Sequence, residues 1–484
     1  MAENLKEKTA KGLFWGALGN GSQQLLNLVF GIFFARLLSP DDYGMIGMLT
    51  IFSLIASTFV ECGFTNALAK NKNVQYNDYN AVFWFSIIVS IFIYVVLFFS
   101  APYIALFYHQ PDLVPLARFS FLGFVISGTA VVPGALFYKQ LKVKQKTFAQ
   151  TMALFVSGVT GITMAYHGMS YWGIATQNNV YVLVYAISMW FLAHWRPSLH
   201  IDLSPIKGMF GFSSKLLFTN IFIHLNNNVM SVLLGLWFLR SDVGNYTQAN
   251  KWNSMGYSLI NNMILGVAMP VLASVDGVRE RQRNIFRKML RFASFVSFPL
   301  MFGLSLVAPE FISITITDKW HAASLLLQML CVMGAFAPIS SLYTNLIISD
   351  GRSNIYMYGN IALGMVQIIV LSSTRFWGIT TMISVYVVVY VVWLIFWHYW
   401  AYRIIKLSLL DAFKDIAPFA AIAIVSMVIS FIASQPFSNI YARFFFKIII
   451  AGLIYVGVMK ITNAVILTEC IQFVLNKKQK IWKK

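Results

Sequence analysis

Long apolar runs, separated by short charged or turn-rich stretches, alternate along the whole chain. A helix that crosses about 30 Å of hydrocarbon needs roughly 20 predominantly apolar residues. Runs of that length predict an all-α, polytopic integral membrane protein with about 14 transmembrane helices. The predicted spans are residues 12–38, 43–68, 80–106, 113–137, 147–166, 171–194, 209–238, 244–272, 290–309, 321–348, 354–374, 377–401, 414–434 and 442–466.

Composition and charge agree with a lipid solvent and orient the spans. Charged residues are 11% of the chain, against about 25% in soluble globular proteins. Cytoplasmic loops retain Lys and Arg, and with the N-terminus inside, the inward segments hold 26 of the 36 Lys and Arg and the outward loops 4. We therefore expect both termini in the cytoplasm. The basic residues fall in short bursts between apolar runs, which excludes nucleic acid as a partner.

The chain resembles itself at an offset of 200 residues. The matched pairs are Asn20/Asn220, Leu25/Leu225, Asn27/Asn227, Val29/Val229, Asp42/Asp242 and Gly44/Gly244. Six spans per repeat return the chain to the same side, which predicts two parallel six-helix lobes. The predicted parts are an N-terminal lobe (1–195), a cytoplasmic linker (196–208), a C-terminal lobe (209–403), two C-terminal helices (404–468) and a basic amphipathic tail (469–484) on the inner leaflet.

The first helix of each lobe carries polar side chains on one face, at i, i+4 and i+7. These two stripes are Asn20, Gln24 and Asn27 in the first lobe and Asn220, His224 and Asn227 in the second. Membrane amides can hold helices together through hydrogen bonds, or they can bond sugar hydroxyls in a lumen. The duplication of the stripe favours the lumen.

Four cations within the predicted spans are the second set of candidate residues. Charge at membrane depth is costly and is by default a functional hypothesis. Arg36, Arg118, Lys215 and Lys251 are interpreted as cations of a substrate cavity that neutralise a diphosphate. For Arg36 and Arg118, an anchor at the membrane interface is an equal alternative.

Other charges within the spans have different interpretations. Glu61 is predicted to be the only acid well within a span. It either pairs with a cation or couples transport to a proton or a sodium ion. Lys447 and Lys460 lie near predicted helix ends, so their side chains are expected to reach the headgroups.

Motifs for catalysis, cofactors or metals are missing from the sequence. The three cysteines have no spacing that would build a metal site;, and no GxxxxGK[ST] motif for an ATPase occurs. The outward loops hold no paired carboxylates and no Ser/His/Asp arrangement, which argues against an enzyme. The basic run at residues 279–288 is interpreted as a topology signal and a surface helix.

Four short motifs resemble a known family in their order and spacing. They are residues 11–15 (KGLFW), 35–44 (ARLLSPDDYG), 61–64 (ECGF) and 243–249 (VGNYTQA). With the predicted helix count, they resemble the polysaccharide transporter family. This is the Wzx-type flippase branch of the multidrug, oligosaccharidyl-lipid and polysaccharide (MOP) exporter superfamily.

The resemblance implies a transporter of the bacterial inner membrane and no enzyme. It implies movement of undecaprenyl-diphosphate-linked oligosaccharide from the cytoplasmic to the periplasmic leaflet by alternating access, for O-antigen, capsule or exopolysaccharide. The implied partners are the bilayer, the glycan polymerase and the chain-length machinery. We expect a monomer, because the two lobes supply both walls of the cavity. The alternatives are a multidrug antiporter of the related branch and a membrane glycan polymerase.

Overall fold

The computed structural model describes residues 2–61, 64, 68, 74–140, 142–274, 279–462, 464 and 466–468. Side chains of residues 2–14, 17, 208–216, 218, 219 and 265–274 lie outside that description. The described residues form helices joined by short turns, with no strand among them. The helices are α1 (Ala2–Leu37), α2 (Pro40–Glu61), α3 (Tyr76–Phe107), α4 (Leu113–Lys139), α5 (Val143–Tyr166), α6 (Trp172–Ala193), α7 (Ser204–Trp237), α8 (Arg240–Ser274), α9 (Arg279–Ile316), α10 (His321–Ser349), α11 (Ser353–Thr374), α12 (Ile379–Val392), α13 (Leu394–Ile405), α14 (Leu409–Ala433) and α15 (Ile440–Ile461).

Each predicted span falls on one of these helices, except that residues 377–401 are shared by α12 and α13. Among the described residues, ten helical segments are long and apolar enough to cross a membrane. The predicted spans outside these ten are α1, α6, α7 and α8, each of which holds at least three Asn or Gln residues. The all-α polytopic class is confirmed, and the count of fourteen stays a prediction.

Contacts divide the chain into two compact units, Met1–Gly244 and Asn245–Lys484. Within the first unit, α1 packs on α5, α3 on α4, α6 on both α4 and α5, and α2 on α7. Within the second unit, α9 packs on α10, α14 and α15, and α10 packs on α12 and α13. The division falls within α8, and the lobe boundaries taken from the sequence repeat stay a prediction.

Glycines bring α5 and α6 close together in the first unit. A Cβ added at Gly161 would lie 2.8 Å from the carbonyl oxygen of Gly173, and one added at Gly173 would lie 2.9 Å from the carbonyl oxygen of Gly161. Small residues allow membrane helices to approach this closely. Gly158 of α5 likewise leaves room for the ring of Phe30 from α1. The three helices therefore form one tight layer, and their polar side chains meet within it.

The turns before α2 and α8 are the same in both repeats. The carboxylate Oδ2 of Asp42 accepts a hydrogen bond from the backbone N–H of Ser39 at 2.8 Å. In the second repeat, Oδ2 of Asp242 accepts one from the N–H of Leu239 at 3.2 Å. A carboxylate that bonds back to the chain before a helix caps its first turn. The Asp42/Asp242 match in the sequence thus reflects a shared turn.

The glycines two residues later make a reciprocal contact between α2 and α8, at positions that all lie in the first unit. A Cβ at Gly44 would overlap the carbonyl oxygen of Arg240, and a Cβ at Gly244 would overlap that of Pro40. Position 40 matches position 240 at the repeat offset. The two helix starts therefore touch backbone to backbone, in a pattern that follows the repeat.

The predicted linker, residues 196–208, is bonded to the first turns of α3. The amide nitrogen of Asn80 donates to the carbonyl oxygen of His200 at 2.6 Å, and its oxygen accepts from the N–H of Ser198 at 2.9 Å. The indole N–H of Trp84 donates to the Ser198 carbonyl oxygen at 2.8 Å. This segment is therefore held in place by side chains of the first unit.

Two sequence predictions about buried charge are wrong. Lys447 does not reach the headgroups, because its Nζ lies 2.6 Å from Oε1 of Glu310 and both side chains are buried. Glu61 is not the only acid well within a span, because Glu310 lies in α9 and Asp415 in α14, and both are buried. Lys460 is exposed near the end of α15. The predicted amphipathic tail lies outside the described residues.

Candidate functional site

A polar cavity of about 220 Å³ lies in the first unit between α1, α5 and α6. Amide and hydroxyl groups dominate its wall. They can both donate and accept hydrogen bonds, which suits a ligand that is rich in hydroxyl groups. The cavity is lined by Gln23, Asn27, Leu154, Ser157, Gln177, Asn178 and Tyr181.

Helical periodicity places these side chains together. Gln23 and Asn27 are four residues apart and share one face of α1. The amide nitrogen of Gln23 also donates to Oε1 of Gln150 in α5 at 3.4 Å. Residues 177–179 are three consecutive amides of α6. Asn179 is buried and donates to the carbonyl oxygen of Phe119 at 2.8 Å, so it joins helices while Asn178 faces the cavity.

The first predicted stripe is only partly the wall of this cavity. Asn27 lines it and is exposed, whereas Asn20, which is also exposed, and Gln24, which is half-buried, do not line it. Gln23, which was not predicted, takes their place. In the second stripe, Asn220 and Asn227 are exposed on α7 and His224 is half-buried.

The four predicted cations occupy different environments. The Nε of Arg118 donates to the carbonyl oxygen of Phe98 at 3.3 Å, and its guanidinium lies 4.2 Å from the centre of that ring. Arg36 is exposed in the last turn of α1, and Lys251 is half-buried in α8. The side chain of Lys215 lies outside the described residues. No described cation lines the polar cavity.

The part of helix α8 that belongs to the second unit buries amides that sequence reasoning missed. Gln248 and Asn253 are fully buried. The side-chain nitrogen and oxygen of both residues have no hydrogen-bond partner among the described residues. The side-chain oxygen Oδ1 of Asn245 is also buried without a hydrogen-bond partner among the described residues. Asn253 lies against Gly334 of α10, where a Cβ would overlap its Oδ1. Buried polar groups are normally paired, so these atoms are suited to water or to a polar ligand.

A signal for these amides was present in the sequence. Helix α8 holds six Asn or Gln residues between positions 245 and 262. That density is unusual for a segment that crosses lipid, where each unpaired amide is costly. These amides do not repeat at i, i+4 and i+7 as the two predicted stripes do, and four of them lie beyond the family motif at residues 243–249.

The described residues offer little for a coupling ion or a metal. Glu61 is exposed at the end of α2, and residues 62 and 63 after it lie outside the described residues. The described part of the chain contains no group of three or more His, Cys, Asp or Glu that could hold a metal ion. The coupling role of Glu61 therefore stays a prediction.

A family model described as "Polysaccharide biosynthesis protein" matches residues 33–325, which is more than half of the chain. The chain belongs to this polysaccharide biosynthesis protein family. It is 24% identical over 364 residues to "Lipopolysaccharide biosynthesis protein WzxC" of Escherichia coli (strain K12), covering 74% of this chain and 73% of that protein. It is 23% identical over 445 residues to "Teichuronic acid biosynthesis protein TuaB" of Bacillus subtilis (strain 168), covering 90% and 91%.

Solved structures show the fold to which this member of the polysaccharide biosynthesis family belongs. The fold matches "Lipid II flippase MurJ, inward closed conformation", with a TM-score of 0.77 and 13% identity over 94% of this chain and 99% of that one. It also matches an inward-facing "multidrug resistance MATE family transporter of the MOP superfamily", with a TM-score of 0.63 and 15% identity over 80% and 96%. The predicted polysaccharide family is confirmed by the family model, and the chain has the multi-pass membrane fold of these two solved transporters.

Proposed function

We propose that this transporter moves an undecaprenyl-diphosphate-linked oligosaccharide from the cytoplasmic to the periplasmic leaflet of a bacterial inner membrane, by alternating access. The flipped units would feed a glycan polymerase and its chain-length machinery in the assembly of O-antigen, capsule or exopolysaccharide. The observation that carries the proposal is the polar cavity between α1, α5 and α6. Relatives named for lipopolysaccharide and succinoglycan biosynthesis, and a neighbour named as a lipid II flippase, support it.

The chemistry of the cavity fits sugars. A glycan cannot cross hydrocarbon unaided, because each hydroxyl would lose its hydrogen bonds to water. The amides of Gln23, Asn27 and Asn178 offer replacement bonds at that depth. The prenyl chain can meanwhile remain in lipid. A cavity of this composition therefore lowers the free-energy barrier to moving the glycan headgroup across the membrane.

The diphosphate requires cations. Lys251 lies on the amide-rich helix α8, three residues from Gln248, so a cation and hydrogen-bonding groups occur on one element. Arg36 and Lys215 lie on the two helices with polar stripes. Arg suits bidentate contact with phosphate, and Lys supplies a point charge.

The buried acids argue against a cationic drug as substrate. Glu310 is paired with Lys447, and Asp415 is bonded by Arg287 and Arg291. A pair of opposite charges leaves little net field for a further cation. The described residues therefore favour an anionic substrate over the multidrug alternative.

The decisive experiment measures the leaflet distribution of lipid-linked oligosaccharide in cells that lack this protein. An impermeant glycan-binding probe is applied to spheroplasts. We expect repeat units to be trapped inside while their synthesis continues. Single units that reach the outer leaflet but stay unpolymerised would instead support a polymerase, and an unchanged distribution would reject this substrate.

The same cells test the cavity. Each lost hydrogen bond removes about 0.5–1.5 kcal/mol, so the double variant Asn27→Leu/Asn178→Leu should reduce outward transfer roughly tenfold at equal protein level. Asn77→Leu is the matched control, because Asn77 is an exposed amide of α3 outside the cavity. Equal transfer by the double variant and the control would remove the cavity from the substrate path.

A further inference from the structure

A second cavity, of about 400 Å³, lies in the second unit. Helices α9 and α14 and the chain just after α15 form its wall. One side is basic and the other is apolar. It is lined by Asn284, Arg287, Lys288, Arg291, Phe419, Ala464 and Ile466.

The basic side is one face of α9. Asn284, Arg287, Lys288 and Arg291 are spaced i, i+3, i+4 and i+7, which places them in a row along the helix. The sequence of residues 279–288 predicts a topology signal and a surface helix. The structure shows instead that it is the beginning of the 38-residue helix α9 and that part of it borders a cavity.

A buried carboxylate fixes the two arginines in place. The Nε of Arg287 lies 2.6 Å from Oδ2 of Asp415, and the Nε of Arg291 lies 2.6 Å from its Oδ1. The Asp415 side chain is 3% exposed, and the described lining residues include no carboxylate. Asp411 lies further away, 3.9 Å from Nη2 of Arg287. Because each guanidinium has five N–H groups, both arginines keep donors beyond those used on Asp415.

The opposite side of the cavity is suited to hydrocarbon. Phe419 lies on α14, and Ala464 and Ile466 follow the last turn of α15. The cavity therefore lies along the first half of α9 and of α14 and just past the end of α15. A water-soluble anion would use only the basic side. A lipid uses both, with its phosphate on the cations and its acyl chain along the apolar residues.

We propose that this cavity binds an anionic phospholipid. The phosphate ester is held by Arg287, Lys288 and Arg291, a headgroup hydroxyl is bonded by Asn284, and the upper acyl chain lies against Phe419 and Ile466. Basic pockets between membrane helices on the cytoplasmic side bind anionic headgroups in this way. The site is separate from the polar cavity of the first unit and does not depend on what that cavity transports.

The test uses the full chain purified in detergent. Short-chain phosphatidylglycerol and phosphatidylcholine with the same acyl chains are titrated, and binding is followed by native mass spectrometry and by the rise in unfolding temperature that a ligand of the folded state produces. We expect preferential binding of phosphatidylglycerol. Arg291→Gln leaves Arg287 on Asp415 and should weaken that binding about fivefold, the contribution of one basic residue near a membrane surface, without changing phosphatidylcholine binding.

Three further variants and a competitor separate the explanations. Arg291→Lys keeps the charge, so its loss should be smaller than that of Arg291→Gln. Phe419→Ala should weaken lipid binding, because it removes an apolar contact with the acyl chain. Arg352→Gln, which removes an exposed cation outside the cavity, should have no effect. Equal binding by Arg291→Gln and Arg352→Gln would overturn the proposal, and so would displacement of the lipid by inorganic phosphate at the same concentration.

Discussion

Lys447 and Glu310 are two charges that lipid should expel, yet they lie side by side within membrane helices of the second unit. Their side chains are only 4% and 6% exposed, and the Lys447 ammonium also donates to the carbonyl oxygen of Leu306 at 3.3 Å. Such a pair roughly offsets its own desolvation, whereas either charge alone is strongly destabilising. The pair joins α15 to α9 and fixes the position of the last helix.

The single variant Lys447→Met should lower the free energy of unfolding by about 3–5 kcal/mol, because it leaves the Glu310 carboxylate buried without its cation. The double variant Lys447→Met/Glu310→Gln should recover much of this loss, since no charge remains. Thermal or urea unfolding in detergent measures both. Lys460→Met, which removes an exposed lysine of the same helix, should unfold like the parent. A double variant no more stable than the single one would mean that the pair itself stabilises the fold.

Single-residue environments were the least predictable feature. Glu310 escaped notice because the predicted span stopped at residue 309 and α9 continues to Ile316. Lys447 was misread because its partner is 137 positions away in the chain, and periodicity reports only neighbours on one helix. For the same reason, the stripe on α1 showed a polar face but not that Gln23, rather than Gln24, would line the cavity.

At the scale of elements, hydropathy located the helices well, although the predicted spans began three or four residues after the true starts of α2 and α8. The paired turns before α2 and α8 were visible as Asp42/Asp242 and Gly44/Gly244. The sequence repeat does not show that each matched glycine lies against the turn that precedes the other helix. Only contacts across the fold reveal that Gly44 meets Arg240 while Gly244 meets Pro40.

Gly44→Ala and Gly244→Ala should each destabilise the protein by about 1–3 kcal/mol, because the new methyl group overlaps a backbone oxygen that cannot swing aside. Gly21→Ala is the control, since a Cβ there meets nothing within 4 Å and Ala favours a helix over Gly by up to about 1 kcal/mol. Thermal unfolding of the three variants in detergent compares them. If Gly244→Ala unfolds like Gly21→Ala, α2 and α8 do not touch at this point in solution.

At the scale of the whole molecule, the fold class followed from composition because water cannot solvate a chain that is 58% hydrophobic. The number of spans did not follow as securely. Ten helical segments of the described residues meet the criteria of length and apolarity, and each of the other four predicted spans holds at least three amides. Those amides include Gln23 and Asn27 of the polar cavity, so the features that suggest function are the ones that blur the count.

The topology prediction can be checked with reporter fusions. If α6, α7 and α8 all cross the membrane, fusions at residues 200 and 350 should report the cytoplasm and fusions at residues 240 and 375 the periplasm, because Lys and Arg concentrate on inward segments. Protein levels of the four fusions are matched before comparison. A cytoplasmic signal at residue 240 would mean that α7 and α8 do not cross the membrane.

The amide-rich helices also bear on how the chain enters the membrane during synthesis. Polar residues at the centre of a segment disfavour its release from the translocon into lipid. Helix α1 emerges before α2 and α3 and carries four amides between residues 20 and 27, whereas α2 and α3 are strongly apolar. We therefore expect α1 to wait at the translocon until later helices cover its polar face. A chain truncated after α1 should then insert poorly, although the same helix packs on α5 in the complete fold.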